Sequence, residues 1–450
     1  MSVGVAPHPD RSGDRRRVAA WALWDWSTQP FSSVILTFVF TALYLTTDAF
    51  LPARIAALPQ TDPRYVAAIA GLTSGLGLAN TIAGVAIALV APVLGQRSDR
   101  SGRRKLSLAI TTYLLVASML ALFAVRPEPG FFFALGVGLI ALGSVFSEIA
   151  GVSYNAMLVQ VSTPATIGRI SGLGWGFGYL GGIVALVIVI VANSAGWFGL
   201  PTDDGLPFRV VAVGCAIWAV IFSLPIFLSV PDLPPPPADR PRLGILASYA
   251  KLGRDVVRLW REARTTFWFL LASAVFRDGL AGVFAYGAVI ASAVFGFGFM
   301  QVVLFGVAAN LVAGVSTIIS GRLDDRVGPR AVIIGSLIGL LVAGTAVFAL
   351  RDAGDAAFWV FGLLLCVFVG PAQAASRSFL ARIAPAGAEG EVFGLYATTG
   401  RAASFLSPAL WSLLIALLGA TYWGILGILV VLAAGLVLML FVRLPPEARR

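Results

Sequence analysis

The chain has 450 residues, of which 58% are hydrophobic and 12% are charged. A soluble domain is closer to half apolar and a quarter charged, so this surplus of apolar side chains indicates helices that face lipid. The net charge of +10 could suggest a nucleic-acid partner, but the basic residues lie in short segments between apolar runs, where membrane topology needs them. The composition therefore predicts a membrane protein whose partner is the lipid bilayer, and it excludes a nucleic-acid-binding protein.

Twelve apolar runs are long enough to cross a bilayer, since one span needs about 20 mostly apolar residues. The first six helices are predicted at residues 19–46, 66–94, 106–125, 131–161, 170–193 and 209–230. The second six are predicted at residues 266–292, 296–320, 331–350, 356–383, 393–418 and 421–443. The predicted domains are a tail at 1–18, a six-helix half at 19–230, a linker at 231–265, a second six-helix half at 266–443 and a tail at 444–450.

The linker begins with a proline run at residues 234–237, which cannot continue a helix. Its second part predicts an amphipathic helix with apolar side chains at helical spacing and basic side chains between them. The apolar positions are Leu246, Tyr249, Leu252, Val256 and Leu259, and the basic positions are Lys251, Arg254, Arg258, Arg261 and Arg264. Two interpretations stay open, a cationic helix on an anionic membrane surface and a solvated linker helix.

The distribution of basic residues predicts the orientation. With both termini in the cytoplasm, the cytoplasmic segments hold about 24 of the 32 Lys and Arg residues and the outer loops hold about five. The basic residues are nearly all Arg, which together with the Ala and Gly content suggests a bacterial source and the cytoplasmic membrane. Cys215 and Cys366 lie inside apolar runs, and the single histidine, His8, lies in the tail. We therefore expect no metal site, no cofactor and no enzymatic activity.

Two loops carry one pattern at corresponding places in the two halves. Residues 95–104 join the second and third helices, residues 321–330 join the eighth and ninth, and both read Gly-x-x-x-Asp-Arg-x-Gly-x-Arg. Each half is therefore predicted to be a copy of one six-helix unit. The pattern resembles the signature loop of the major facilitator superfamily, Gly-x-Leu-Ala-Asp-Arg-x-Gly-Arg-Arg. The second copy keeps the leucine as Leu323, whereas the first has Arg97 there.

The resemblance covers the whole chain. It implies an all-α membrane protein of twelve transmembrane helices, arranged as two pseudo-symmetric halves around one central site, that works as a monomer. Three segments are similar more narrowly to the vacuole-effluxer (autophagy-type amino-acid effluxer) branch and its bacterial relatives. Residues 24–31, Trp-Asp-Trp-Ser-Thr-Gln-Pro-Phe, look like that branch's Tyr-Asp-Trp-Ala-Asn-Ser-Ala-Phe opening. Residues 154–157 with 168–172 look like its fourth and fifth helices, and 373–378 with 391–394 look like its tenth and eleventh. The branch implies solute movement, with amino acids proposed for its eukaryotic members.

Six charged residues fall inside the predicted spans, where each costs about 2.5–3.5 kcal/mol at a helix centre. They are Asp25, Glu148, Arg277, Asp278, Arg377 and Arg401. Because of this cost, they should pair with one another or line a wet cavity. In the superfamily, the first, fourth, seventh and tenth helices surround the central cavity, and transporters generally bind substrate at the midplane between repeats. The predicted substrate-binding or proton-coupling residues are Asp25, Glu148, Asn155, Arg277, Asp278, Gln373 and Arg377.

Each charged candidate also has a structural interpretation. Glu148 binds a proton or the substrate, or it forms a structural ion pair. Arg377 pairs with a substrate carboxylate facing Glu148 across the cavity, or it belongs to an intracellular gate. Arg277 and Asp278 point about 100° apart on a helix, so one can bind while the other anchors a neighbouring helix, and Arg277 is the preferred ligand. Asp25 is either functional or part of an interfacial belt with the tryptophans at 21, 24 and 26. Asn155 and Gln373 are included because they lie within one or two turns of Glu148 and Arg377.

The two signature loops predict a gate. Asp99 and Asp325 can each sit at the N-terminus of a neighbouring helix, where the helix dipole favours a carboxylate. Arg100, Arg103 and Arg326 can complete a charge network that closes the cytoplasmic side, and plain positive-inside anchoring is the alternative. The predicted gating residues are Gly95, Asp99, Arg100, Gly102, Arg103, Arg104, Asp325, Arg326, Gly328, Arg330 and Arg401, the last as a gate or a snorkelling residue.

The function predicted from the sequence is alternating-access transport of a small solute. An amino acid or similar zwitterion and proton coupling are the working hypotheses. The alternatives are a drug or metabolite efflux pump, a transporter-like receptor that has lost turnover, and a membrane-embedded enzyme. An enzyme would need clustered nucleophiles, metal ligands or a cofactor motif, and the sequence contains none of these.

Overall fold

A computed structural model describes residues 15–202, 204–232 and 245–442 of the protein. The proline run of the linker and most of both predicted tails lie outside the described residues. Within the described ranges the chain is helical and no strand is present. Twelve of its helical segments are long and apolar enough to cross a membrane, which confirms the predicted all-α membrane fold.

The membrane-crossing helices are called spans 1 to 12. Spans 1 to 6 are Arg15–Leu45, Pro63–Ser101, Arg104–Ala124, Phe131–Val161, Ile167–Ser194 and Leu206–Ser229. Spans 7 to 12 are Arg264–Ala293, Phe299–Val327, Pro329–Ala349, Asp355–Ile383, Glu389–Leu418 and Trp423–Phe441. The side of the molecule that carries the linker and both signature loops is called the linker side, and the opposite side is called the open side.

Span 1 is not one regular helix, in contrast to the uninterrupted run that was predicted. A regular α-helix ends at Pro30, and wider helical turns follow at Phe31–Phe38 and Thr41–Leu45. The cause is Pro30, which has no N–H to donate to the carbonyl of Trp26 one turn earlier. The indole N–H of Trp218 in span 6 donates to that carbonyl instead, at 3.1 Å.

Span 11 is also interrupted where the sequence predicted continuity. Its first helix is Glu389–Ala403 and its second is Leu406–Leu418. Pro408 cannot donate to the carbonyl of Ser404, so the helix restarts there with an unsatisfied N–H at Ser407. The Asp278 carboxylate of span 7 accepts that N–H at 2.6 Å. The break therefore places an anchored helix start in the middle of the span.

The linker helix is Ile245–Glu262. The Tyr249 hydroxyl donates to the carbonyl of Leu89 in span 2 at 3.1 Å, and the Trp260 ring packs edge-on against Phe267 of span 7, with 4.9 Å between centroids. Val257 and Trp260 nevertheless remain about half exposed. The side chains of Leu246, Lys251, Leu252 and Val256 lie outside the described residues. The choice between a membrane-surface helix and a solvated helix therefore stays open.

Buried apolar side chains join the two halves on the linker side. One core of side chains such as Phe40, Tyr44 and Leu115 lies within the first half, toward the open side. The other core runs through the second half and continues into the first through residues such as Tyr154 and Ile167. The two halves thus share a core near the linker and separate away from it.

Spans 2 and 11 show where the separation begins. Near the linker, Gly95 lies so close to Gly390 that a Cβ would overlap the Gly390 carbonyl oxygen, and the Thr398 hydroxyl donates to the carbonyl of Ala88 at 2.9 Å. One turn further toward the open side, a Cβ at Gly84 would meet no neighbouring atom within 4 Å, and Phe405 is 63% exposed. A cleft therefore lies between the halves and opens toward the open side.

Candidate functional site

The floor of the cleft carries charged side chains of opposite sign from the two halves. The first half contributes the carboxylates of Asp25 in span 1 and Glu148 in span 4. The second half contributes the guanidinium groups of Arg277, Arg377 and Arg401, from spans 7, 10 and 11. These five side chains thus lie on helices that meet at the boundary between the halves, and so does Asp278, the sixth charge predicted inside the spans, which is on span 7.

Arg377 lies in a closed set of contacts that joins span 10 to the first half. Its Nη1 atom is 3.3 Å from Asp25 Oδ2 and 3.2 Å from Asn155 Oδ1. Its Nε and Nη2 atoms donate to the Oγ and the carbonyl oxygen of Ser171, at 3.0 and 2.6 Å. The Tyr154 hydroxyl donates to the same Asp25 oxygen at 3.0 Å. The Arg377 side chain is only 4% exposed, against 21% for Asp25, so its donors are taken by protein groups in this conformation.

Aromatic rings enclose the Arg377 guanidinium. Its carbon lies 4.9 Å from the centroid of a Trp21 ring, and the Tyr154 ring stacks on Trp21 and Trp24 at 4.4 and 4.3 Å. Trp24 also donates to Thr112 in span 3 at 3.0 Å. Trp21 and Trp24 are buried, so the interfacial-belt interpretation is wrong for both. The ring faces of Trp21 and Tyr154 attract the Arg377 cation electrostatically, and Trp24 supports the Tyr154 ring by stacking on it.

Glu148 and Arg401 form a second ion pair between the halves. Glu148 Oε1 lies 3.2 Å from Arg401 Nη2, and the two side chains are 37% and 36% exposed. Arg401 is in the last turn of the first helix of span 11, where the dipole favours a cation. Glu148 was predicted to face Arg377 across the cavity, but the structure pairs Glu148 with Arg401 and pairs Arg377 with Asp25.

Arg277 and Asp278 point to different partners. The Asp278 carboxylate is buried and holds the restart of span 11, and the Ser407 hydroxyl donates back to the Asp278 carbonyl at 3.0 Å. The Arg277 guanidinium lies 3.8 Å from the centroid of the Tyr396 ring and donates to the Tyr396 carbonyl at 3.1 Å. Tyr396 is itself fixed by a 2.7 Å hydrogen bond with Ser376 of span 10.

Two amides complete the set predicted from the sequence. Asn155 contacts Arg377, as given above, and Gln373 lies half-buried one turn before Arg377 in span 10. Sequence reasoning missed Ser171 and Tyr396, which hold the two central arginines. Ser171 lies inside the Gly-Arg-Ile-Ser-Gly segment that resembles the effluxer branch, and this was the available signal for it.

The first signature loop binds span 11 of the opposite half. Asp99 accepts the backbone N–H groups of Gly390 and Glu391, at 3.1 and 2.8 Å, at the start of that helix. Arg104 donates to Asp99 at 2.7 Å and contacts Glu389 at 2.5 Å. Arg104 is almost fully buried, so its charge is shared between one carboxylate from each half.

The second signature loop binds span 5 in the same manner. Asp325 accepts the backbone N–H groups of Gly168 and Arg169, at 2.7 and 3.1 Å. Arg382 of span 10 lies 3.4 Å from Asp325 and 3.5 Å from Asp324. The Ser378 hydroxyl also donates to Asp324. Glu389, Asp324 and Arg382 were not predicted, because charges at span ends are already explained by topology.

Five further residues of the two signature loops were predicted to gate. Gly102 and Gly328 have φ angles of 66° and 86°, which L side chains rarely adopt. Arg100 is in the last turn of span 2. Arg103 and Arg326 are exposed, so the prediction that they complete the networks is corrected: Arg104 and Arg382 do so.

Arg330 lies at the position in the second loop that corresponds to Arg104. Its Nε and Nη2 atoms donate to the carbonyls of Val442 and Leu440, at 2.5 and 3.0 Å. These contacts lie within its own half, at the end of span 12.

Comparisons with known proteins agree with this architecture. The family model described as "Vacuole effluxer Atg22 like" matches residues 161–449. The uncharacterized MFS-type transporter YxiO of Bacillus subtilis is 26% identical over 428 residues, which cover 94% of each chain. Autophagy-related protein 22 of Cryptococcus neoformans is 26% identical over 288 residues, 59% of this chain and 51% of that protein. The chain thus matches about half the length of the fungal relatives.

Solved structures show the same fold. The proton:xylose symporter XylE aligns with a TM-score of 0.72 at 13% identity, over 97% of both chains. The human organic anion transporter MFSD10 aligns with a TM-score of 0.72 at 18% identity, over 96% of this chain and 100% of that one. The transporter FucP in its outward conformation aligns with a TM-score of 0.69 at 13% identity, over 96% and 99%. Since the family model covers more than half of the chain, this protein belongs to the Atg22-like vacuole effluxer family of major facilitator transporters.

Proposed function

We propose that this secondary transporter moves an amino acid or similar zwitterion across the bacterial cytoplasmic membrane by alternating access, coupled to protons. It acts as a monomer with both termini in the cytoplasm. The observation that carries this proposal is the distribution of charge at the cleft floor. Carboxylates come from one half and arginines from the other, and beside the two ion pairs between them the second half adds Arg277 as a third positive charge. The carboxylate of a zwitterion can therefore meet an arginine on one wall of the cleft while its ammonium group faces the carboxylates of the other wall.

Alternating access is supported by where the halves meet. Both signature loops bind the start of a helix in the opposite half on the linker side, and the cleft opens on the other side. These contacts are hydrogen bonds and ion pairs rather than covalent links, so they can break together when the linker side opens. The two central ion pairs also cross between the halves, and substrate binding can therefore act directly on the equilibrium between conformations.

The orientation is supported by charge. Among the described residues, the linker side carries most of the Lys and Arg residues, and cytoplasmic segments are the ones enriched in these residues. With that assignment, the conformation described here is closed to the cytoplasm and open to the outside.

Proton coupling is supported by Glu148. Its side chain is 37% exposed at the cleft floor and pairs with Arg401 of the other half. A proton on Glu148 would remove the charge that holds Arg401, and this would weaken one link between the halves. A carboxylate that is accessible in the open conformation and paired across the halves is suited to exchange a proton during the cycle.

The test is a thermal-shift screen of purified protein against amino acids and small organic anions at two pH values. Wild type is compared with Glu148→Gln and with Arg277→Ala, and Glu128→Gln in the exposed loop before span 4 is the control. We expect a zwitterion to stabilise wild type and the control but not the two cleft variants. Uptake of the same compound into proteoliposomes then separates a transporter from a receptor that has lost turnover.

If no zwitterion shifts wild type, and the variants respond like wild type, the amino-acid proposal is overturned. Efflux of apolar compounds would then become the favoured function. If a zwitterion binds but does not enter proteoliposomes in either direction, the transport proposal is overturned while binding stands.

A further inference from the structure

We propose that Arg277 binds the carboxylate of the transported solute, with Tyr396 as the platform that holds its guanidinium, and that Arg377 instead links the two halves. The inference rests on the proposed function, because it names the chemical group that the site selects. It also predicts that the site prefers solutes that carry a carboxylate over amines of the same shape.

Arg377 has few donors left for a ligand. Its guanidinium makes hydrogen bonds to Asn155, to two atoms of Ser171 and to Asp25, and its side chain is 4% exposed. A substrate carboxylate would have to displace three protein partners from three helices. Such a displacement costs the hydrogen bonds that the buried partners lose.

Arg401 is neutralised by a protein carboxylate. Its ion pair with Glu148 places a protein carboxylate at 3.2 Å. A solute carboxylate that approached Arg401 would therefore meet the like charge of Glu148.

Arg277, in contrast, contacts a protein group that carries no negative charge. Among the described residues, no carboxylate oxygen lies within ion-pair distance of Arg277, and its contacts are with the ring and carbonyl of Tyr396. The neighbouring Asp278 is turned away to the restart of span 11. An embedded guanidinium without a counter-charge is costly, and a ligand carboxylate would remove that cost. A planar guanidinium also matches a carboxylate with two parallel hydrogen bonds.

The position of Arg277 on span 7 places it toward the cleft. Phe284, two turns further along the same helix, lies on the same face. Its ring stacks with Tyr179 of span 5 across the boundary between the halves, at 6.1 Å. The face of span 7 that carries Arg277 therefore points toward the opposite half, where Asp25 and Glu148 lie.

The experiment tests the amino group and the carboxyl group of the solute separately. The midpoint concentration for thermal stabilisation is measured with leucine and phenylalanine. Each is matched by the acid that lacks the amino group, 4-methylpentanoate or 3-phenylpropanoate. Each is also matched by the amine that lacks the carboxyl group, 3-methylbutylamine or 2-phenylethylamine. The proteins are wild type, Arg277→Gln, Arg277→Lys, Arg377→Gln and Arg351→Gln.

Arg351 is the matched control, because its guanidinium also lies over a tyrosine ring, 4.6 Å from Tyr422, but at the open-side end of span 9. We expect Arg277→Gln to raise the midpoint for amino acids and acids about tenfold or more, the usual range for a charge-assisted hydrogen bond. Arg277→Lys should recover part of this loss. Arg351→Gln should match wild type.

The Arg377→Gln variant distinguishes a role in linking the two halves from a role in binding the solute carboxylate. It should lower the thermal stability without ligand and leave the preference for acids over amines unchanged. The inference is overturned if Arg277→Gln keeps the wild-type midpoints, or if Arg377→Gln is the variant that loses the preference. Stabilisation of wild type by amines alone would overturn it while leaving transport of a charged solute intact. If none of the six compounds stabilises wild type, the zwitterion proposal fails and this inference fails with it.

Discussion

The two signature loops have one sequence pattern but make different networks. In both, the aspartate accepts two backbone N–H groups at the start of a helix in the opposite half, Asp99 from span 11 and Asp325 from span 5. The last arginine of the pattern differs. Arg104 is buried between Asp99 and Glu389, whereas Arg330 binds carbonyl groups at the end of span 12 in its own half.

The difference follows from what each loop faces. The first turn of span 11 contains Glu389, a counter-charge for Arg104. The first turn of span 5 contains Arg169 and no acidic residue, so Arg330 finds no partner there. Arg382 of span 10 supplies the positive charge of the second network instead, at longer distances of 3.4 and 3.5 Å. The repeated motif therefore fixes the carboxylate contact, and the opposing helix decides the role of the arginine.

The largest effect is expected for Arg104→Gln. Removing one partner of a buried ion pair costs about 3–5 kcal/mol, because the remaining charges stay buried without a counter-charge. Opening the linker side would relieve that cost, so the variant should populate a linker-side-open conformation. Distances between spin labels at the exposed positions Arg97 and Ala386 would measure this, since the native cysteines are buried.

Arg103→Gln is the control for this experiment, because Arg103 is the exposed neighbour in the same loop. It should give the wild-type distance distribution. A distribution for Arg104→Gln that also equals wild type would show that the network does not hold the linker side closed.

Asp99→Asn should have the next largest effect. The amide keeps one acceptor oxygen but loses the charge that the helix start and Arg104 both favour, and a hydrogen bond to a charged group contributes about 1.5–3 kcal/mol. We expect transport to fall more than surface expression. Asp62→Asn is a matched control, because Asp62 also accepts a helix-start N–H, from Arg64 at 2.8 Å, but its side chain is 20% exposed and acts within its own segment. Equal losses of transport and expression would contradict a gating role for Asp99.

Asp325→Asn should weaken the closure of the linker side less than Asp99→Asn does. The neighbouring Asp324 remains in place, bound by Ser378 and within reach of Arg382, so the positive charge keeps a partner. The same spin-label distances and the same ratio of transport to expression measure the difference. A larger effect for Asp325→Asn than for Asp99→Asn would show that the second network is the stronger one.

Much of this fold could be predicted, because apolar run length and the repeated loop depend on local sequence alone. The helix interruptions could not. Pro30 and Pro408 stand at breaks, yet Pro92, Pro225 and Pro371 lie inside regular helices. Neighbouring groups can satisfy the carbonyl that a proline leaves free in a membrane helix. Whether a proline breaks a span therefore depends on packing that the sequence does not display.

The sequence predicted which charged residues lie in the site, but not which of them pair with one another. The six charges in the middle of the spans were identified, because a charge inside an apolar run stands out, whereas Glu389, Asp324 and Arg382 at the span ends were not. Their partners depend on the depth and rotation of each helix, and these are set by tertiary packing. Glu148 therefore pairs with Arg401 rather than with Arg377. Asp25 pairs with Arg377, and the Tyr154 hydroxyl donates a hydrogen bond to Asp25.

The smallest effect is expected for Arg330→Gln, at the position that corresponds to Arg104. The Arg330 guanidinium caps carbonyl groups at the end of span 12 in partly exposed positions, so each contact lies at the low end of the range of about 1.5–3 kcal/mol for a hydrogen bond to a charged group. The variant should lower the thermal unfolding temperature slightly, while transport per folded molecule and the spin-label distances stay at wild-type values. Arg104→Gln, measured in parallel, should instead change the spin-label distances more than it changes the thermal unfolding temperature. If Arg330→Gln opened the linker side as Arg104→Gln does, the two loops would act alike, and the counter-charge at Glu389 would not explain their difference.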